Sequence, residues 1–87
     1  MHWVVDVGYL QNYELLLTFE NGVQKVVDLE AHVEGEVFEP LKNLEHFKQV
    51  SVNEDTDTIE WPNGADMAPE FLWDIGEEVE AAKAEAV

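Results

Sequence analysis

Ile59-Glu60-Trp61-Pro62-Asn63-Gly64-Ala65-Asp66, continued by Met67-Ala68-Pro69-Glu70-Phe71-Leu72, compresses a strand end, a turn and a helix start into one stretch. Pro62 presets φ for a turn, and Gly64 can take positive φ after a type I turn. Pro69 suits the first position of a helix, and Glu70 falls near the positive end of its dipole. The stretch therefore joins the last strand to the last helix. Two readings of it compete. In one, Trp61, Asn63 and Asp66 form a partner-binding patch, since Trp is favoured at binding hot spots. In the other, Trp61 packs the core, Pro62-Asn63-Gly64 is only a turn, and Asp66 bonds backbone N–H groups at the helix start. Turn chemistry explains each residue type and favours the second. If the stretch binds a partner, Trp61 and Asn63 must point outward together.

Upstream, residues 58–61 read as a strand that pairs with residues 50–52 across the acidic turn Asn53-Glu54-Asp55-Thr56-Asp57. Three earlier runs, 3–10, 13–19 and 23–28, are rich in Val, Leu and aromatic residues and read as strands. Gly8 predicts an end or a bulge in the first of them. Asn21-Gly22 is a favoured pair for a two-residue hairpin. That loop sets Leu17 opposite Val26 and gathers Tyr13, Leu15, Leu17, Phe19 and Val26 on one face. Leu16, Thr18, Val23, Lys25 and Val27 then share the other. One face is expected to lie under helices. The other is a lightly covered face, a dimer surface or a docking site, unless its aliphatics are merely scattered surface residues.

Between the two strand groups come helical turns. Leu29 to Glu34 reads as one, Pro40 opens another, and Asn43 caps a short helix over 44–48 whose Leu44 and Phe47 recur, with Leu41, at helical spacing. Downstream, Phe71, Leu72, Ile75, Val79 and Ala82 form an apolar stripe that Gly76 ends or kinks. Trp73 lies off that stripe; with Trp3 it is a candidate exposed contact residue. The expected fold is α+β in two layers, β-β-β-α-β-β-α, an antiparallel meander with helices packed on one face. A single domain is expected over 1–76, followed by an acidic helical or frayed tail over 77–87.

The 87 residues hold 20 Asp and Glu against four Lys and no Arg, a formal net charge of −16. Such a surface repels phosphate backbones and anionic membranes, which argues against direct nucleic-acid or membrane binding. It favours a basic protein partner, or serves solubility alone. No cysteine is present, so no disulfide or thiolate metal site supports the core. The sequence shows no signal-peptide layout and no run long enough to span a bilayer, so a cytoplasmic protein is expected. A monomer or weak homodimer is expected, because like charge opposes association while a small core favours it.

Catalytic signatures are weak. Ser51 is the only serine and stands between Val50 and Val52, without a nucleophile elbow. The glycines are dispersed and form no phosphate loop. No metal site or cofactor is expected: the 53–57 turn offers oxygen ligands but lacks the full calcium-loop pattern, and His32 and His46 do not make a zinc pair.

The ordered set Leu15-Leu16-Leu17-Thr18-Phe19-Glu20-Asn21-Gly22, Val27-Asp28-Leu29, Val37-Phe38-Glu39-Pro40-Leu41, Phe47-Lys48-Gln49-Val50, Ile59-Glu60-Trp61-Pro62-Asn63-Gly64-Ala65-Asp66 and Pro69-Glu70-Phe71-Leu72 resembles the bacterial domain-of-unknown-function family 2442. The resemblance spans roughly residues 3 to 75. It implies a small α+β domain of three strands, helical turns, two strands and a final helix, with no established activity. Relatives lie beside small toxin-like proteins, which implies an antitoxin-like setting. The expectation is a non-enzymatic interaction or regulatory module that masks a basic partner, such as a neighbouring toxin-like protein. The alternative is a ligand- or divalent-metal-binding accessory domain using the 53–57 turn or the Asp66 region.

Overall fold

A computed structural model describes residues 2–79 of the chain. Strands β1 (Val4–Gln11), β2 (Glu14–Phe19) and β3 (Gln24–Asp28) form an antiparallel meander. Single-turn 3₁₀ segments follow at Glu30–His32 and Glu39–Lys42, then helix α1 (Leu44–Phe47). Strands β4 (Ser51–Asn53) and β5 (Thr58–Glu60) pair as a separate hairpin, and helix α2 (Pro69–Ile75) follows. The expected α+β order is therefore present, but the strands divide into two sheets. A two-residue strand, β6 (Glu77–Glu78), returns to pair with Lys25 and Val26, completing a sheet of order β1-β2-β3-β6. A helical or frayed tail is expected from residue 77; its first two residues are this strand, and residues 80–87 lie outside the described residues.

Local signals account for the short helices. The Asn43 side chain accepts the Glu45 N–H at 2.9 Å, the expected cap of α1. Pro40 lies in the first turn of the second 3₁₀ segment, and Pro69 opens α2. Gly76 ends α2. A Cβ there would meet Lys25 Cβ at 2.9 Å and Val27 Cγ1 at 3.0 Å, so only glycine lets the helix end lie this close to β3.

The first hairpin differs from the expected pairing. Gly22 N–H donates to Phe19 O and Phe19 N–H to Val23 O, both at 2.9 Å, with Gly22 at φ 87°. The loop is thus three residues, Glu20-Asn21-Gly22, a type I turn closed by a left-handed glycine. Leu15 pairs with Val27, Leu16 with Val26 and Leu17 with Lys25. One residue of slip exchanges the faces of β3: Val27 joins Leu15, Leu17 and Phe19 in the core, and Val26 turns outward beside Leu16.

Every element except the Glu30–His32 segment and β6 contributes to or packs against one cluster on the inner face of the meander. Leu15, Leu17 and Phe19 meet Leu41, Phe47, Ile59, Trp61 and Leu72, all at most 2% exposed. No described side-chain N or O atom is buried without a partner. Removing the close approach at Gly76 tests the packing of α2. Gly76→Ala is expected to lower stability by roughly 1–3 kcal/mol through overpacking. Gly8→Ala, whose Cβ would meet nothing within 4 Å, is expected to change it by less than about 1 kcal/mol; urea unfolding of both variants checks the contrast.

Candidate functional site

The joint between β5 and α2 repeats the loop of the first hairpin. Gly64 N–H donates to Trp61 O and Trp61 N–H to Ala65 O, both at 2.9 Å, with Gly64 at φ 91°. Asn63 Oδ1 accepts Ala65 N–H at 3.1 Å, as Asn21 Oδ1 accepts Val23 N–H at 3.0 Å. Both loops read aromatic-x-Asn-Gly, and both aromatics are buried, Phe19 and Trp61 each at 1% exposure.

Trp61 is thus a core residue and not a contact residue. Its indole N–H donates to Phe47 O at 2.9 Å, and its ring lies 5.8 Å from that of Phe47. Burial of the ring is what the small core gains from it. Asn63 is exposed but engaged, its amide donating to Val37 O at 2.8 Å. Trp61 and Asn63 do not point outward together. Asp66 is exposed, and its backbone bridges to Glu60. The residue before α2 is Ala68, without a side-chain cap, so Asp66 does not hold the helix start.

Trp73 and Trp3 are half-buried. The phase of α2 differs from the expected stripe: Leu72 is fully buried, Trp73 and Ile75 pack on the core, and Phe71 faces out at 36% exposure. Trp73 is turned inward by what it meets. Its ring stacks on His2, with centroids 3.7 Å apart and planes 8° apart, and stands edge-on to Phe19. Lys25 Nζ lies 3.8 Å from the Trp73 centroid and donates to Trp73 O at 2.8 Å. Glu70 completes this clasp. It accepts the His2 backbone N–H at 2.6 Å and lies 3.1 Å from His2 Nδ1. Those hydrogen bonds to the His2 ring and backbone hold its carboxyl below the ordinary value of 4.5, against a smaller opposing effect of burial.

His2 stacks on Trp73, His32 lies edge-on to Phe71, and His46 is exposed on α1. Ser51 is exposed on β4. In the 53–57 turn, Asn53 Oδ1 is taken by Asp55 N–H at 2.8 Å, and Asn53 O accepts the N–H groups of Thr56 and Asp57. Among the described residues no three His, Cys, Asp or Glu side chains gather as they would around a metal ion.

The outer face of the meander is a feature that residue types alone assigned imprecisely. Gly8 pairs with Leu16, Leu16 with Val26, and Val26 with Glu77, so one row crosses all four strands. Leu16 and Val26 are half-buried yet lie outside the core cluster. Val5 and Leu10, on β1, are 53% and 45% exposed. Carboxylates line one side and the β6 end of the row, where a groove of about 500 Å³ is lined by Glu14, Asp28, His32, Glu77 and Glu78 with Val26 and Ile75. Correct register was the missing signal: the expected two-residue loop put Val27, not Val26, on this face.

The described fold is that of a small α+β domain. The chain belongs to the family described as "Protein of unknown function (DUF2442)", whose profile matches residues 4–78. That match includes β6. Neither the curated proteins nor the solved structures compared with the chain gave a match. No described helix is long and apolar enough to cross a membrane.

The His2–Glu70 clasp has a pH signature. A carboxyl held below its ordinary value adds stability above that value and loses it as pH falls through the lowered one. Glu70→Gln is therefore expected to be less stable than the parent at pH 7. The difference is expected to shrink toward zero as pH falls below 4.5; thermal unfolding of both proteins between neutral and acid pH checks it. Trp73→Ala is expected to cost roughly 2–4 kcal/mol, as for a packed aromatic, where a free contact residue would cost less than about 0.5 kcal/mol.

Proposed function

We propose that this protein is a non-enzymatic interaction module that masks a basic protein partner, in an antitoxin-like manner. The observation that carries the reading is the charge of −16, with so little positive charge left to answer it. All three described lysines are engaged by the chain's own groups: Lys25 with Trp73, Lys42 with Glu39 at 3.2 Å and Lys48 with Glu45 at 3.4 Å. The acidic surface is then open to a partner's lysines and arginines. Long-range attraction would steer the encounter, and desolvated aliphatic contacts would supply most of the affinity.

Co-expression with the product of the adjacent gene, followed by capture at two salt concentrations, tests this. A basic protein is expected to be retained. Its association rate is expected to fall by about tenfold or more as salt rises from roughly 0.01 to 0.15 M and the screening length shrinks from about 30 to 8 Å. Failure to retain any basic protein at either concentration contradicts the reading.

A further inference from the structure

Resting on that reading, we infer that the partner docks as a basic amphipathic helix laid across the outer face of the β1–β2–β3 meander. The core occupies only the inner face, where Leu15, Leu17 and Val27 are fully buried. On the outer face the central row is Gly8, Leu16 and Val26. A polar row lies on one side of it, where Asp6 pairs with Thr18 and Thr18 with Gln24. On the other side Glu14 pairs with Asp28. The result is an aliphatic strip with an acidic flank at Glu14 and Asp28, a polar flank that carries Asp6 at its β1 end, and Glu77 closing its β6 end.

Two features choose the occupant. A sheet face is covered by a helix packed on it, while an added strand would pair at an edge. The row from Gly8 to Val26 crosses two strand spacings, about 10 Å, which matches about two turns of helix. Gly8 leaves open space above its backbone, since a Cβ there meets no atom within 4 Å. A leucine of the helix can enter that notch beside Leu16. The second feature is charge. Glu14, Asp28 and Glu77 complement lysines or arginines along one flank and one end of the helix, and Asp6 complements one more on the other flank. A second copy of this chain would set those carboxylates against their own kind, on bodies that each carry −16.

The test uses a synthetic helical peptide of about 18 residues, long enough to form a helix, with a leucine stripe flanked by lysines. A scrambled peptide of the same composition is the control. Titration into the ¹⁵N-labelled full chain, followed by NMR, is expected to shift Gly8, Leu16 and Val26 most, and to show weaker binding of the scrambled peptide. Gly8→Arg is expected to weaken binding by about tenfold or more, because it fills the notch and adds a positive charge at the centre of the patch. Glu54→Gln, with the same change of one charge but in the exposed 53–57 turn, is expected to weaken it less than about twofold. The shift map of the unmutated chain gives the result independently of whether Gly8→Arg folds. Equal weakening by both variants, or shifts spread evenly over the surface, overturns the docking face while leaving a basic partner possible. Absence of binding by both peptides at low salt counts against both readings. A dimer that Gly8→Arg abolishes, seen by sedimentation, overturns the helix in favour of a second copy.

Discussion

Two glycines held at positive φ, Gly22 at 87° and Gly64 at 91°, set the parity on which the rest of the structure depends. Each closes an aromatic-x-Asn-Gly loop, and each loop delivers its aromatic to the core. Because side chains alternate along a strand, one residue more or less in the first loop decides which half of β3 is buried. With three residues, Val27 faces α2 and Val26 faces out. Everything on the outer face follows from that choice.

The core that results is small and has no covalent staple. It relies on large rings that also satisfy their polar atoms. Trp61 fills the space between α1 and the β4–β5 hairpin and gives its N–H to Phe47 O. Tyr13 reaches over from the end of the first hairpin to donate to Lys42 O, and packs edge-on to Phe47. Thr58, buried at 4% exposure, donates to Met67 O at 2.6 Å. The Trp61 and Tyr13 bonds link segments 14 and 29 residues apart, so that the second hairpin, α1 and the meander form one body without a shared sheet. The His2–Trp73–Lys25 stack does the same for α2 at the opposite end.

Much of the architecture was legible in the sequence because its signals are local. Asn43 capped its helix, Pro69 opened α2, and the Pro62-Asn63-Gly64 turn formed as its residue types require. Proline at position 62, with φ fixed negative, excluded the two-residue hairpin turns that need positive φ there. Glu20, at the equivalent place in the first loop, imposed no such limit, and the Asn-Gly pair was equally consistent with the two-residue loop. The choice was made by burial of Leu15, Leu17 and Val27 together, a non-local term. The same holds for α2: its apolar residues permitted two phases, and the positions of Lys25, Phe19 and His2 selected the one that buries Trp73 and exposes Phe71. β6 was not legible, since Glu77-Glu78 has no strand character and is held by pairing with Lys25 and Val26. Of the candidate residues, Trp61 proved structural, and Asn63 and Asp66 lie exposed at the turn that follows β5.

The central claim is that this chain buries one face of its meander in the core and leaves an aliphatic row half-exposed on the other. The most direct measurement is methyl relaxation by a soluble paramagnetic agent. Strong enhancement at Leu16 and Val26, with little at Leu15, Leu17 and Val27, is the predicted result. Protection of Val26 together with exposure of Val27 would place the hairpin in the other register and contradict the account.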